Sequence, residues 1–507
     1  MGRIALAPLI LFGSTFLVYN LAAYANDPLA ELRLSSDDGA RQQIIALTRD
    51  LNLDVPPPIR YFLWLKGILG IFIGKFDLGD TRSATTVWEE LSYAIPVSLR
   101  LVFVATITAL VIGLALGIIS ALRQYSRFDY AMTFLAFLLF SLPIFWVAVL
   151  LKEFMAIQFN NFLSEPNIPI KWMAAFSIFI GIFWSSLFGG ERKRFWSVFG
   201  GAFATSFVIL WAIDFTDWYL NPGLGIILIG LLSVGIAFGV TAISTGLSNV
   251  PAKKAALTMA GLAVVWYYPA QWIFNNFGSY FTIFILISLI VLTGLGLSRI
   301  YSKIDHGPIA RTAIITGILS GFLILVDRIM QSWDDYFATD AVNGRPVPTY
   351  GQRKDQLVTE DFWLNNLDTI MHLVLPTLAL ILISVAGWIR YTRGALLEVL
   401  NQDYIRTARA KGLNEREVIT RHALRNTMLP LSSLFVGEFL GLISGAVITE
   451  RVFGWQGMGT LFIRGVNGGD PNLLMGVTLL FAVLTIFGNL LADLVYSALD
   501  PRIRLGK

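Results

Sequence analysis

Residues 101–120 read LVFVATITALVIGLALGIIS, twenty positions without a single charge. At about 1.5 Å per residue a helix of this length covers about 30 Å, the hydrocarbon thickness of a bilayer. Inside lipid, a helix satisfies every backbone N–H and C=O within its own segment, so the stretch predicts a membrane-spanning helix. Working outward, similar apolar runs cover roughly 4–24, 96–120, 131–158, 172–189, 195–213, 223–245, 255–273, 280–298, 310–330, 371–391, 428–449 and 473–497. The fold expected is therefore all-α, a polytopic transmembrane helical bundle of about twelve spans.

Composition supports the same class. The chain has 507 residues, 55% hydrophobic and 14% charged, with a mean hydropathy of +0.66, which leaves too little polar surface to coat a soluble globule of this size. Its net charge is +4, and the basic residues lie in short loops between apolar runs, as topology requires and nucleic-acid binding does not. There is no cysteine, and His306, His372 and His422 are too scattered for a metal-ligand spacing, so no metal and no cofactor is expected.

Lysine and arginine placement orients the spans, because short basic loops stay on the cytoplasmic side. With the N-terminus inside, the inside loops carry Arg123 and Arg127, then Arg192 to Arg194, Lys253 and Lys254, then Arg299, Lys303 and Arg311, and finally 392–427 and the tail with Arg502, Arg504 and Lys507. The alternate short loops, 214–222 and 274–279, hold no basic residue. Two long polar segments, 26–95 and 331–366, then face outward. Arg3 followed by an apolar run and Ala23-Tyr24-Ala25 has the form of a cleavable signal, but 4–24 is also long enough to span, and an uncleaved first span is expected. Trp184, Trp196, Trp211, Trp218, Trp266 and Trp272 cluster near span ends, as interface anchors do.

The most informative loop is DYIRTARAKGLNEREVITRHALRNTMLP, residues 403–430. Asp403 is expected to cap a short helix from Tyr404 to Lys411, with Gly412 as the left-handed residue that ends it. Asn414 and Glu417 have capping-box spacing for a second helix that stops as Pro430 approaches. In the first helix Tyr404, Ile405 and Ala408 share a face, while Arg406 and Arg409 project elsewhere. Small residues at Ala408, Ala410 and Gly412 allow close approach, so the helix suits insertion into a groove of another protein; an amphipathic helix lying on anionic lipid is the alternative.

The run YIRTARAKGL, followed by HALRN and a Leu-Pro entering an apolar span, resembles the cytoplasmic coupling loop of ABC importer permeases, specifically the dipeptide, oligopeptide and nickel permease family. Phe76-Asp77-Leu78-Gly79-Asp80, Ser141-Leu142-Pro143-Ile144-Phe145-Trp146, Leu375-Pro376-Thr377, Glu450-Arg451-Val452-Phe453 and Asp500-Pro501-Arg502-Ile503-Arg504 are similar to segments of its B-type permease. The resemblance implies that Asp403, Tyr404, Arg406, Thr407, Ala408, Arg409, Ala410, Lys411 and Gly412 couple the chain to an ATPase. It also implies the partners: a homologous second permease, two cytoplasmic ATP-binding subunits and an extracytoplasmic solute-binding protein, in the cell membrane of a prokaryote with both termini cytoplasmic.

The resemblance covers about 1–160 and 366–507, and divides the chain into a permease core of 1–160 and 366–507, with the coupling loop at 397–427, and an inserted membrane bundle of six spans with an outer polar segment at 161–365. Two departures stand out, Asn26-Asp27-Pro28 and Trp455-Gln456-Gly457, where the family has Gly-Asp-Pro and Trp-Pro-Gly. The expected function is a permease subunit of a peptide importer; a permease for a non-peptide solute such as nickel, or a self-contained secondary transporter, are the alternatives. The chain is not expected to be an enzyme, because no G-x-x-x-x-G-K-[ST] phosphate loop occurs and Gly74-Lys75-Phe76 lacks both the spacing and the hydroxyl. Charge at bilayer depth tends to face a cavity or a partner, which makes Glu438, with Ser444 on a similar face, a candidate for lining the substrate path. Ser141 and Pro143 join them, since a proline within a span can shape a gate.

Overall fold

The computed structural model describes residues 2–35, 39–188, 190–302, 306–354, 356–357 and 359–499. Lys303 and the tail 500–507, with its Asp500-to-Arg504 segment, lie outside the described residues. In chain order, the principal helices begin with α1 (Gly2–Ala25), α2 (Pro57–Leu69), α3 (Val87–Leu122), α4 (Arg127–Ser141) and α5 (Ile144–Leu151). Helix α5 continues through a widened π turn, Lys152–Ile157, into Gln158–Ser164. Next come α6 (Ile170–Phe188), α7 (Arg192–Phe215), α8 (Gly225–Ser244), α9 (Val250–Val265), α10 (Tyr267–Asn276), α11 (Tyr280–Tyr301) and α12 (His306–Gln331). The chain then forms α13 (Phe362–Leu400), α14 (Asp403–Ala410), α15 (Leu424–Gly445), α16 (Val447–Phe453), α17 (Met458–Asn467) and α18 (Pro471–Leu499).

Among the described residues, nine helices are long and apolar enough to cross a bilayer, and two helix pairs that bend sharply raise the number to eleven. The protein is thus an all-α polytopic membrane bundle. The remaining expected span, 255–273, is carried by α9 and α10, of 16 and 10 residues, which meet at Trp266. Pro269 explains the division: it has no N–H for the Val265 carbonyl, and its ring crowds that carbonyl.

The chain forms two compact units. One comprises Met1–Ala156, Thr349–Gln352 and His372–Lys507; the other comprises Ile157–Pro348 and Arg353–Met371. In the first unit α3 and α13 approach at backbone distance. A Cβ on Gly113 would lie 2.2 Å from the Trp388 Cβ, and one on Gly117 would lie 2.7 Å from the Thr392 Cβ. Gly113 and Gly117 therefore form a small-xxx-small stripe, which lets dispersion contacts replace the hydrophobic drive that lipid does not supply. Fully buried Glu450 joins three helices of this unit: one carboxylate oxygen accepts the Ser98 hydroxyl at 2.5 Å and the other accepts the Thr460 N–H at 3.0 Å.

Polar segments of the first unit converge as well. Buried Asp470 accepts the Arg82 N–H at 2.6 Å, Asn26 donates to the Val466 carbonyl, and Asn472 donates to the Asp80 carbonyl. Burial raises the Asp470 carboxyl above the usual carboxylate range, against the pull of the Leu473 and Arg82 N–H groups. The Phe76–Asp80 stretch and the Asn26-Asp27-Pro28 departure thus belong to one polar plate.

In the second unit α8, α9, α11 and α12 pack through small residues, with Ala252, Ala255, Met259, Ile309 and Ala313 at one centre. Asp327 of α12 is buried and takes five donors: the Leu224 and Gly225 N–H groups, the Tyr267 hydroxyl, and the amides of Gln271 and Gln331. It covers the start of α8, where a helix leaves its first N–H groups unpaired. Asp327 is therefore enclosed in the bundle.

Candidate functional site

The loop between α13 and α15 folds as an elbow. Its first arm is α14, preceded by Gln402 in extended conformation (φ −73, ψ 150), whose carbonyl accepts the Ile405 and Arg406 N–H groups. Gln402, and not Asp403, is therefore the N-cap. Asp403 occupies the first turn, where its carboxylate complements the helix dipole and stands 3.4 Å from Arg406. The arm ends as expected. Gly412 has φ +77, its N–H reaches the Arg409 carbonyl at 2.9 Å, and the Leu413 N–H reaches the Ala408 carbonyl at 3.4 Å, which is the Schellman pattern. A Cβ at Gly412 would meet open space, so backbone conformation alone calls for glycine there.

The second arm opens at Asn414, whose side chain accepts the Arg416 N–H at 2.9 Å. Glu417 does not complete a capping box; it pairs with Arg421 at 2.6 Å, one turn ahead. Nor does Pro430 end the helix. The chain passes from Glu415–Glu417 through a π turn, Val418–Ala423, into α15, which holds Pro430 within it. One missing N–H is a local loss in a helix of 22 residues, and membrane helices tolerate it where neighbours support the freed carbonyl.

Two polar links brace the arms. The Arg409 guanidinium grips Glu415 by two bonds, of 2.7 and 3.1 Å, across the turn at Gly412, and the Asn426 amide donates to the Tyr404 hydroxyl at 2.8 Å. The Glu415 carboxylate holds the Arg409 guanidinium above its already high ordinary value. Beneath them Ile405 and Ala408 are buried with Ala121, Leu396, Val418 and Ala423, against Ile118, Leu397 and Leu400. The elbow is thus seated on the ends of α3 and α13. Asp403, Tyr404, Arg406, Thr407, Arg409, Ala410, Lys411 and Gly412 all remain exposed. Ala408 differs from its expected place, because it belongs to the inner face and packs on the chain itself.

Under the elbow lies an ion pair that sequence reading did not single out. Asp129, in the first turn of α4, meets Arg393 of α13 through bonds of 2.6 and 2.9 Å, and also accepts the Ser120 hydroxyl at 2.5 Å and the Tyr125 N–H at 3.0 Å. Only the regular i, i+3 link from the Asp129 N–H to Ser126 was within reach of local pattern.

Of the four residues proposed for a pathway, three have described side chains. Ser141 and Pro143 are exposed at the break between α4 and the helix that follows, where the axis turns by 100°, and the Ser141 hydroxyl donates to the Leu138 carbonyl of its own helix. Glu438 lies half-buried on α15, facing Ser384 and Trp388 of α13. The Ser444 side chain lies outside the described residues.

Comparison with known proteins bears on both the elbow and its surroundings. The family described as "Binding-protein-dependent transport system inner membrane component" matches residues 243–505. That stretch includes the elbow, and it begins inside 161–365, where sequence reading found no counterpart. Oligopeptide transport system permease protein OppB of Mycobacterium tuberculosis is 45% identical over 138 residues, 27% of this chain and 42% of that protein. Oligopeptide transport system permease protein AppB of Bacillus subtilis is 40% identical over 227 residues, covering 44% of this chain and 66% of the relative. Dipeptide transport system permease protein DppB of the same organism is 35% identical over 206 residues, 39% and 66% of the two. The chain thus spans less than half the length of the mycobacterial relative and about two thirds of the two from Bacillus.

Proposed function

Because this chain belongs to the binding-protein-dependent transport system inner membrane component family, we propose that it is a B-type permease subunit of a peptide ABC importer. In this reading it shares the pathway with a second, homologous permease. Two cytoplasmic ATPases supply the energy, and an extracytoplasmic binding protein delivers the solute at the plate formed around Asp470. The peptide cargo follows from the names of the relatives, which are oligopeptide and dipeptide permeases.

The observation that carries the proposal is the two-sided elbow. One face, Ile405 with Ala408, is buried on the ends of α3 and α13, while the opposite ridge, made by Arg406, Thr407 and Arg409 to Gly412, stands exposed and braced by the Arg409–Glu415 bridge. A ridge that is both rigid and unburied can enter a groove and deliver a push without deforming. Such a ridge belongs on the cytoplasmic side, where nucleotide is available, and both termini lie on that side with it. The even span count this requires is kept if α9 and α10 cross together as one broken span. The first unit then serves as the permease core, and the second as an inserted bundle.

Copurification is the direct test. The tagged chain, expressed together with candidate ABC-importer ATPases, should bring them down, and a crosslinker placed by Thr407→Cys should join it to an ATPase. Capture of no ATPase by an intact, membrane-inserted chain would favour a self-contained transporter and overturn the proposal.

A further inference from the structure

We propose that the Asp129–Arg393 pair is the positioning element that makes α3, α4, α13 and the elbow move as one body, so that a push on the elbow reaches the break at Leu142-Pro143. This inference rests on the coupling role proposed above for the elbow.

Among the described residues, the apolar cluster beneath the elbow draws on two of the three helices that meet here. Its apolar bed includes Ile118 and Ala121 of α3 and Leu396, Leu397, Val399 and Leu400 of α13. Helices α3 and α13 are already locked by close approach at Gly113 and Gly117. Helix α4 is brought into register with them by Asp129. That carboxylate takes the Ser120 hydroxyl from the end of α3, two nitrogens of the Arg393 guanidinium from α13, and the Tyr125 N–H from the connecting turn, so both its oxygens are used twice. Tyr125 holds φ +61, a left-handed conformation unfavourable for a residue with a Cβ, and the bond to Asp129 helps to hold it there. Arg390, one turn before Arg393, lies 4.0 Å from the Phe140 ring centroid, so the same stretch of α13 grips α4 near its far end as well.

The chemistry suits a transmitting joint. Apolar packing limits separation without fixing direction, whereas a bidentate guanidinium–carboxylate pair, its carboxylate buried and its guanidinium partly exposed, fixes direction as well as distance. Asp129 is almost fully buried, so parting the pair leaves a charge in a poorly solvated place. Past Ser141 the axis turns by 100°, so a rotation of α4 becomes a displacement of the following helix. Asp129 and Arg393 act through the elbow and touch no solute, which makes them positioning residues.

The natural lack of cysteine allows a distance measurement. Spin labels at Phe134→Cys on α4 and Thr420→Cys on the second arm of the elbow, both exposed positions away from the ridge, report on the two ends of the joint in the assembled complex. With the pair intact, their separation should stay constant when ATP is added. With Asp129→Ala it should change on ATP addition, while basal ATP hydrolysis continues and uptake per ATP falls about tenfold. Arg393→Lys, which keeps the charge but not the fork, should fall between the two. A separation that changes with ATP in the parent chain, or that stays fixed in an assembled Asp129→Ala complex, would overturn the proposal. Failure of the parent chain to bind any ATPase would instead overturn the coupling role itself, so the two failures are distinguishable. Should Asp129→Ala fail to assemble, Arg393→Lys alone gives the same reading through its separation on ATP addition.

Discussion

Asp129 in the first unit and Asp327 in the second are both buried aspartates on membrane helices, and their partners differ in kind. Asp327 is surrounded by neutral donors: two backbone N–H groups at the start of α8, a tyrosine hydroxyl and two glutamine amides. All of them belong to one bundle, and the carboxylate finishes a helix start that would otherwise leave N–H groups unpaired. Asp129 instead meets a guanidinium carried by a distant helix, next to an elbow with an exposed ridge. Neutral donors packed around a carboxylate hold an architecture still. A charged fork links elements that must keep register while they move.

The contrast is sharpest in substitutions. Asp327→Leu should have the largest effect on stability, because it strands several buried donors at once. A loss of about 3–5 kcal/mol is expected, seen as a lowered unfolding temperature in detergent, and any uptake that survives should scale with the amount of folded protein. An Asp327→Leu chain that unfolds like the parent would remove the distinction between the two aspartates. Gly412→Val comes next. A β-branched residue at φ +77 costs about 1–3 kcal/mol locally, so the elbow's turn should open and uptake should fall sharply, while the membrane content of the chain holds steady by immunoblot.

Ala408 and Ala410 divide the elbow more finely. Ala408→Phe overfills the bed on α3 and α13 and should destabilise by about 1–3 kcal/mol. Ala410→Phe points away from that bed, should leave the unfolding temperature unchanged, and should weaken capture of the ATPase. Equal thermal effects of the two would contradict the two-sided elbow. Smallest of all is Glu415→Gln. The Arg409–Glu415 bridge is about half exposed on both sides, so its removal should shift stability by about 0–1 kcal/mol, with the difference vanishing in high salt.

Much of this architecture was legible along the chain. The uncharged stretch 101–120 announces a spanning helix, and α3 runs through all of it. The elbow was legible too, because chain reversal is a local matter: Gly412 ends α14 with a left-handed turn, as a glycine directly after the expected Tyr404–Lys411 helix suggests. Local patterns misled where two chemistries compete within a few residues. Asp403 has the side chain of a cap, but extended backbone at Gln402 makes that residue the cap and puts Asp403 in the first turn. By local pattern Pro430 is a stop, but a helix supported by neighbours carries a proline through its interior.

What the amino-acid order determined by itself is whatever depends on period and on solvent: helices of bilayer length, polar segments between them, the turn at Gly412, and a coupling-loop motif in one continuous stretch. These follow from backbone hydrogen bonds that each segment satisfies alone. Tertiary structure decided the rest. Asp129 and Arg393 are 264 positions apart, and nothing near either residue announces the other. Gly113 and Gly117 acquire meaning only when Trp388 and Thr392 lie against them. Whether Ala408 faces a partner or its own chain is settled by where α3 and α13 end. A side chain's role depends on the groups brought within a few ångströms of it, and for a long chain those groups are set by packing, not by sequence distance.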